Sequence, residues 1–330
     1  VTVPLSLGAV LCTALFVSER RRMRAPNFDW TGFGFLVVGV AALLTMLSRG
    51  ERHQWFDSTE IVVEGAVAAA SFYGFALRLA WARVPFVSAA LFRDFNFVLG
   101  NVFSFLFGTI MYLAVFLIPI QLQTVAGYDI IGVGDLLGFR GVGVVLGALV
   151  TSFFAMRTEP RVILIIAIFM GVVSSYAMST WTADVRAFDV AWTIAVSGAS
   201  SSVCYIPLTV LTFATLPERY RAEGMGFFYV TSLLGTSIGT AVIFNVLTRS
   251  ARVNHDIMVE RLNPFNELLS HGMTARAWTQ EARDSLAALD AEMLRQATQI
   301  AYNNCFLLIA IVAAVLVPLC FLMRMPKGAR

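Results

Sequence analysis

Nine apolar stretches, each close to or above the length that crosses a lipid bilayer, constrain this chain more than any other feature of its sequence. They run roughly from 1 to 18, 31 to 48, 61 to 81, 96 to 120, 131 to 156, 162 to 181, 188 to 215, 224 to 247 and 300 to 323. A hydrocarbon core about 30 Å thick takes about 20 helical residues to span. The first stretch is short and opens directly on Val1-Thr2-Val3-Pro4, with no charged leader and no cleavage site, so the chain is expected to begin inside a helix. The runs are continuous and do not alternate, which sets transmembrane strands aside. The expected fold class is therefore all-α, a polytopic membrane protein of about nine transmembrane helices. Composition agrees: 58% of the 330 residues are hydrophobic and 14% charged, against about 25% charged in soluble domains. That is too little charge to cover a water-facing surface.

The basic residues orient the bundle. All but Lys327 of the 24 are arginines. If the loop at 19–30 is cytoplasmic, the inside loops hold Arg20, Arg21, Arg22, Arg24, Arg83, Arg93, Arg157, Arg161, Arg219, Arg221, Arg324, Lys327 and Arg330. The short outside loops then hold only Arg49, Arg52 and Arg186. Positive charge stays inside, so the C-terminus is expected in the cytoplasm. A net charge of +3 spread over loops suits orientation and not nucleic-acid binding. The long connection 248–299 falls outside the membrane. Within it, Trp278, Ala282, Leu286, Leu289, Met293, Ala297 and Ile300 recur at steps of three and four, which predicts an amphipathic helix over Thr274–Ile300. Such a helix can pack on its own bundle, lie on the membrane surface or dock a partner protein.

Enzymatic chemistry finds little support. His53, His255 and His271 all fall in outside loops, and no span contains an HExxH or a GxSxG motif. Cys12, Cys204, Cys305 and Cys320 sit in apolar runs without CxxC spacing and read as small buried hydrophobes. No cofactor and no metal is expected. The glycines are better explained by close helix packing, because the pairs Gly134/Gly138, Gly143/Gly147 and Gly235/Gly239 have the small-xxx-small spacing that lets backbones approach in lipid.

Arg140 is the one basic residue well inside a span. At mid-helix it costs about 2.5 to 3.5 kcal/mol on the insertion scale, which neighbouring Leu and Val offset. It shares a helix face with Gly143, Gly147 and Thr151, so it is expected to point into the bundle, either as a structural residue or toward substrate or proton coupling. Asp135, Glu60 and Glu64 lie near the outer ends of spans and read as interfacial. Two stripes at helical spacing are too polar for lipid: Asn101, Ser104, Gly108 and Tyr112, and Gly198, Ser201, Tyr205, Thr209 and Thr212. They face neighbouring helices or a wet cavity, and two tyrosines and an Asn in line favour the cavity.

Several segments carry a resemblance. Phe28-Asp29-Trp30-Thr31-Gly32, Leu47-Ser48-Arg49-Gly50-Glu51-Arg52 followed by Trp55-Phe56-Asp57-Ser58, and Leu216-Pro217-Glu218-Arg219-Tyr220-Arg221-Ala222-Glu223-Gly224 resemble the EmrB/QacA-type drug:proton antiporters, the fourteen-helix branch of the major facilitator superfamily. Phe139-Arg140-Gly141-Val142-Gly143, Gly235-Thr236-Ser237-Ile238-Gly239 and Asn263-Pro264-Phe265-Asn266 extend the likeness in the same order. The resemblance implies a division into residues 1–18, a partial last helix of an N-terminal half, residues 19–94, two linker transmembrane helices with their loops, and residues 95–330. The last would be a C-terminal six-helix transport half made of two inverted three-helix repeats, with a long extracytoplasmic loop at 248–299. About five leading helices, with the residues most often tied to proton coupling, would lie outside the chain.

The implied function is proton-driven export of amphiphilic drugs or metabolites across the bacterial cytoplasmic (inner) membrane, with the chain alone inactive. A periplasmic adaptor of the membrane-fusion type is implied as a partner, beside the substrate, protons and the lipid bilayer. A non-transporting membrane subunit or degenerate remnant is the alternative, and an intramembrane enzyme a more distant one. Arg140, Asn101, Ser104, Tyr112, Ser201, Tyr205, Thr209 and Ser232 are the candidates for the substrate or coupling cavity. Two departures qualify the likeness: Phe139 replaces a frequent Pro, and Ser232 stands where family members often carry Arg.

Overall fold

The computed structural model describes Ser6, Gly8 and Cys12 and residues 29–50, 55–81, 88–154, 157–261 and 282–324. Eight helices within these are long and apolar enough to cross a membrane: α1 (Trp30–Arg49), α2 (Thr59–Trp81), α3 (Phe95–Thr124), α4 (Ile130–Phe154), α5 (Pro160–Met178), α6 (Ala187–Phe213), α7 (Glu218–Arg261) and α8 (Ala282–Leu322). The described residues contain no strand. The span expected at 1–18 lies outside them apart from three helical residues, Cys12 among them exposed, whereas Cys204, Cys305 and Cys320 are buried as small apolar groups.

Local chemistry sets the helix ends. Asp29 caps α1, its Oδ1 accepting from the Gly32 amide at 3.0 Å, and Asp94 caps α3 by accepting from the Phe97 amide at 2.9 Å. Between α3 and α4, Gly127 turns the chain at φ +72°, a left-handed conformation that costs glycine nothing. Each of α1 and α2 presents a mostly exposed surface, as a helix bathed in lipid does. The two form a hairpin pinned at both ends by ion pairs: Arg78 Nη2 to Asp29 Oδ1 at 2.7 Å and Arg49 Nη1 to Glu60 Oε1 at 2.6 Å. The hairpin leans on α7.

Helices α3–α8 form one bundle in which α4 packs on α6, α3 on α7, α5 on α6 and α8, and α8 on α7. Backbones approach closely at glycines. A β-carbon on Gly143 would overlap the Ala195 carbonyl, one on Gly147 Ser202, and one on Gly198 the Arg140 carbonyl. In the second helix pair a β-carbon on Gly235 would overlap the Phe105 carbonyl, one on Gly239 Thr109, and one on Gly108 the Ser232 carbonyl. The two sets are related by constant shifts: residues 105, 108 and 109 of α3 correspond to 195, 198 and 199 of α6, and 232, 235 and 239 of α7 to 140, 143 and 147 of α4. Hydroxyls tie α5 to α6 as well, from Ser174 to the Thr193 carbonyl at 2.9 Å and from Ser200 to the Ala167 carbonyl at 2.8 Å.

Two expectations need correction. Gly134 and Gly138 have nothing within 4 Å of a β-carbon, so they pack against no described helix. Both lie on the side of α4 away from its buried positions Val133, Leu136, Gly143 and Gly147, and their spacing alone could not reveal that. The expected loop at 248–299 begins later than its apolar boundary suggested: α7 continues to Arg261, while α8, described from Ala282, runs on into the last span as the amphipathic pattern predicts. At 44 and 41 residues these helices are about 66 Å and 62 Å long, twice a hydrocarbon core about 30 Å thick. Their joined ends therefore project beyond the bilayer, where His255 Nε2 meets Asp290 Oδ1 at 3.0 Å and Asn304 Nδ2 donates to Ser250 Oγ at 3.1 Å. Of the amphipathic stretch Thr274–Ile300, residues 274–281 lie outside the described set. Ala297 is buried and Met293 half-buried, while Ile300 is exposed.

Candidate functional site

Arg140 sits in the eleventh position of α4, one turn before Gly143. Because α4 and α6 approach within backbone contact there, the guanidinium reaches across to α6, and Nη1 donates to Ser197 Oγ at 3.1 Å. Arg140 is half-buried and Ser197 is 8% exposed. Arg140 was singled out in sequence; Ser197 was not, although it begins the row Ser197, Ser201, Tyr205 and Thr209 at steps of four along α6. Ser201, Tyr205 and Thr209 are half-buried on that row. The Ser201 and Thr209 hydroxyls bond back to their own helix, at the Gly198 and Tyr205 carbonyls. The Tyr205 ring lies 6.4 Å from that of Tyr229 on α7. Ser232, half-buried on α7, occupies the position in the second helix pair that Arg140 occupies in the first.

The α3 stripe behaves differently. Ser104 is 1% exposed and donates to the Phe228 carbonyl of α7 at 3.0 Å. Asn101 is 7% exposed, with its amide on the Phe97 carbonyl at 2.8 Å and its Oδ1 unpaired. Gly108 meets Ser232, and on α6 Thr212 is fully buried against Gly100. These four are buried within the bundle, three of them against a neighbouring helix. Helical spacing identifies a polar face without saying whether another helix covers it; here α7 covers Ser104 and Gly108, and α3 covers Thr212. The Tyr112 side chain lies outside the described set.

Polar contacts also latch both ends of the bundle. Outside the core, Arg295 of α8 donates from Nε to the Val125 carbonyl at 2.8 Å and from Nη2 to the Ala183 carbonyl at 3.1 Å, and it pairs with Asp184. Gln299 donates to the Trp181 carbonyl at 2.9 Å and accepts from Gln121 at 3.1 Å. At the opposite end Asn96 donates to the Arg324 carbonyl at 2.7 Å and accepts from the Arg324 amide at 2.8 Å. Arg161 reaches the Met323 carbonyl. The bundle is thus held as a unit at both membrane surfaces, with its half-buried polar face between them. Among the described residues no group of three or more His, Cys, Asp or Glu could hold a metal.

No family model matches the sequence. The chain is 26% identical over its whole length to the multidrug export protein EmrB of Escherichia coli, of which it spans 65%. It is 26% identical over 93% of its length to the fatty acid resistance protein FarB of Neisseria gonorrhoeae, spanning 61% of that protein. It is also 26% identical over 74% of its length to the tetracenomycin C resistance and export protein of Streptomyces glaucescens, spanning 45%. Among solved structures, an inward-facing bacterial homologue of the human lysosomal transporter Spinster overlaps 90% of the chain at a TM-score of 0.45 and 18% identity. The chain spans less than two thirds of the length of these curated relatives. Along most of its length the chain is thus similar to multidrug export and fatty acid resistance proteins of the EmrB and FarB kind.

Proposed function

We propose that residues 95–330 form the C-terminal half of a proton-driven exporter of amphiphilic drugs or metabolites in the bacterial cytoplasmic membrane. Residues 19–94 supply two linker spans, residues 1–18 belong to the preceding half, and the C-terminus lies in the cytoplasm. One observation carries the reading: a cation in mid-membrane, Arg140, is held by Ser197 on a half-buried face that continues through Ser201, Tyr205 and Thr209. Intramembrane charge is expensive and marks substrate or ion pathways. In facilitator folds the substrate sits near the midplane between two halves that rock against each other. A small number of polar anchors on an otherwise apolar wall suits amphiphiles of varied shape.

The reading is tested in proteoliposomes with an imposed pH gradient. The complete transporter containing this chain extrudes an amphiphilic dye, and Arg140→Leu lowers extrusion at least tenfold while leaving insertion intact. The 330 residues alone insert without transporting. Full extrusion by Arg140→Leu, or saturable, uncoupler-sensitive extrusion by the chain alone, overturns the proposal.

The projecting ends of α7 and α8 support a partner in the extracytoplasmic space. Val253, Ile257, Val259 and Leu294 are 44–51% exposed there, apolar groups of the kind helices use for docking. In a Gram-negative host this surface engages a membrane-fusion adaptor. Cross-linking from Glu292 that captures only the transporter, with the adaptor present, rejects that part.

A further inference from the structure

Helix α1 touches α7 only sparsely, and a half-open crevice of about 670 Å³ separates them. Phe33, Val37 and Leu44 of α1 line one wall, and Gly226, Phe227 and Val230 of α7 the other. The helices run parallel, so the end near Phe33 is also the end near Glu223, the crevice's one charged residue. From Phe33 to Leu44 the crevice follows α1 for about 16 Å, close to the depth of one leaflet of a hydrocarbon core about 30 Å thick. Above Leu44 a second cavity changes character, with Ser48, Thr236, Ser237 and Thr240 in its lining.

Glu223 is exposed; among the described residues it makes no ion pair, and its one hydrogen bond is a long one of 3.4 Å from the Ser88 amide. Of the two nearest arginines on its own helix, Arg221 pairs with Glu218 at 3.7 Å and Arg219 lies over the Tyr220 ring at 4.4 Å, neither of them on Glu223. Arg219 lies one turn from Glu223, on the same helix face and toward the aqueous side. A carboxylate and a guanidinium one turn apart at the mouth of an apolar slot complement a zwitterion with an apolar tail.

We propose that this crevice is a binding site for a membrane phospholipid with a primary ammonium headgroup, its acyl chain between α1 and α7 and its ammonium on Glu223. An apolar slot at lipid depth forfeits its van der Waals contacts if empty. Bilayer lipid is the solvent there, so by mass action it occupies the slot ahead of any dilute solute. A primary ammonium donates hydrogen bonds to a carboxylate, which a trimethylated one cannot. Assignment to the inner leaflet rests on the orientation proposed above; binding itself does not.

The purified 330-residue chain, equilibrated with vesicles of equimolar phosphatidylethanolamine and phosphatidylcholine, is analysed for retained lipid by native mass spectrometry. The expected result is a preference for phosphatidylethanolamine of about fivefold, the size of one exposed ion pair. Glu223→Gln abolishes that preference without lowering phosphatidylcholine retention. Gly226→Leu, at a position where a β-carbon meets nothing within 4 Å, lowers retention of both lipids, and Val37→Phe fills the slot from the opposite wall if the first variant does not assemble. Equal retention of the two lipids by the unaltered chain, a preference that survives Glu223→Gln, or retention indifferent to both filling variants overturns the proposal. None of these readouts involves transport, so failure of the exporter reading leaves them unchanged.

Discussion

Arg140 and Ser232 hold equivalent places in two helix pairs: each presents its backbone carbonyl to a glycine on the neighbouring helix, Arg140 to Gly198 and Ser232 to Gly108. Each lies three residues before a second glycine that meets that same neighbour, Gly143 and Gly235. The backbone contact is thus repeated while the side chain is not. At that place only the first pair has a cation, and it is held by a Ser on the partner helix.

The close approaches predict a sharp contrast between glycines. Gly198→Ala places a methyl against the Arg140 carbonyl and forces α4 and α6 apart, at a cost of about 1 to 3 kcal/mol. Gly138→Ala fills open space and removes a poor helix former, a gain of up to about 1 kcal/mol. Melting curves of the detergent-solubilised variants should move in opposite directions; a shared direction would deny the backbone contact its role.

Ser197→Ala leaves the Arg140 guanidinium without its hydroxyl acceptor on α6. A hydrogen bond to a charged group is worth about 1.5 to 3 kcal/mol, so dye extrusion by the complete transporter should fall about tenfold or more, though less than for Arg140→Leu. Equal losses in the two variants would show that the hydrogen bond, and not the charge, carries the role.

The hairpin of α1 and α2 should loosen in acid. The Arg78 guanidinium holds the Asp29 carboxyl well below the usual carboxylate range, helped by the Gly32 amide and the Thr31 hydroxyl and opposed by burial. A lowered folded-state value means the contribution is complete above the unfolded value of about 3.9 and is lost as pH falls below it toward the folded value. Asp29→Asn should therefore raise hydrogen exchange in residues 29–33 and 76–81 at pH 7. Near pH 3 the difference from the unaltered chain should shrink.

Arg295 links α8 to the turns after α3 and α5. Arg295→Ala should raise exchange at residues 125–128 and 183–186 together, while Arg295→Lys restores the charge but not the forked geometry and recovers only part of the protection. Protection unchanged in both segments would assign the latch to Gln121, Gln299 and Trp181 instead.

The sequence by itself determined the spans described from Trp30 onward, the loop charge on which the expected orientation rests, and the position of Arg140 inside an apolar helix, because each follows from local composition. Apolar length, Arg count and a lone intramembrane cation need no knowledge of neighbours. Tertiary structure decided what each helix face meets. Asn101 and Ser104 read as cavity residues by spacing, yet both are buried within the bundle, Ser104 against α7; Gly134 and Gly138 share the spacing of Gly143 and Gly147, yet face open space. Ser197 became visible only as the group across from Arg140, and Glu223 only as the charge at the mouth of a crevice between two distant segments. A stripe at 3.6-residue period reports that one side of a helix differs from the other. Which neighbour lies against that side depends on how the helices are arranged in the bilayer, where every helix is already satisfied along its own backbone and packing alone selects the partners.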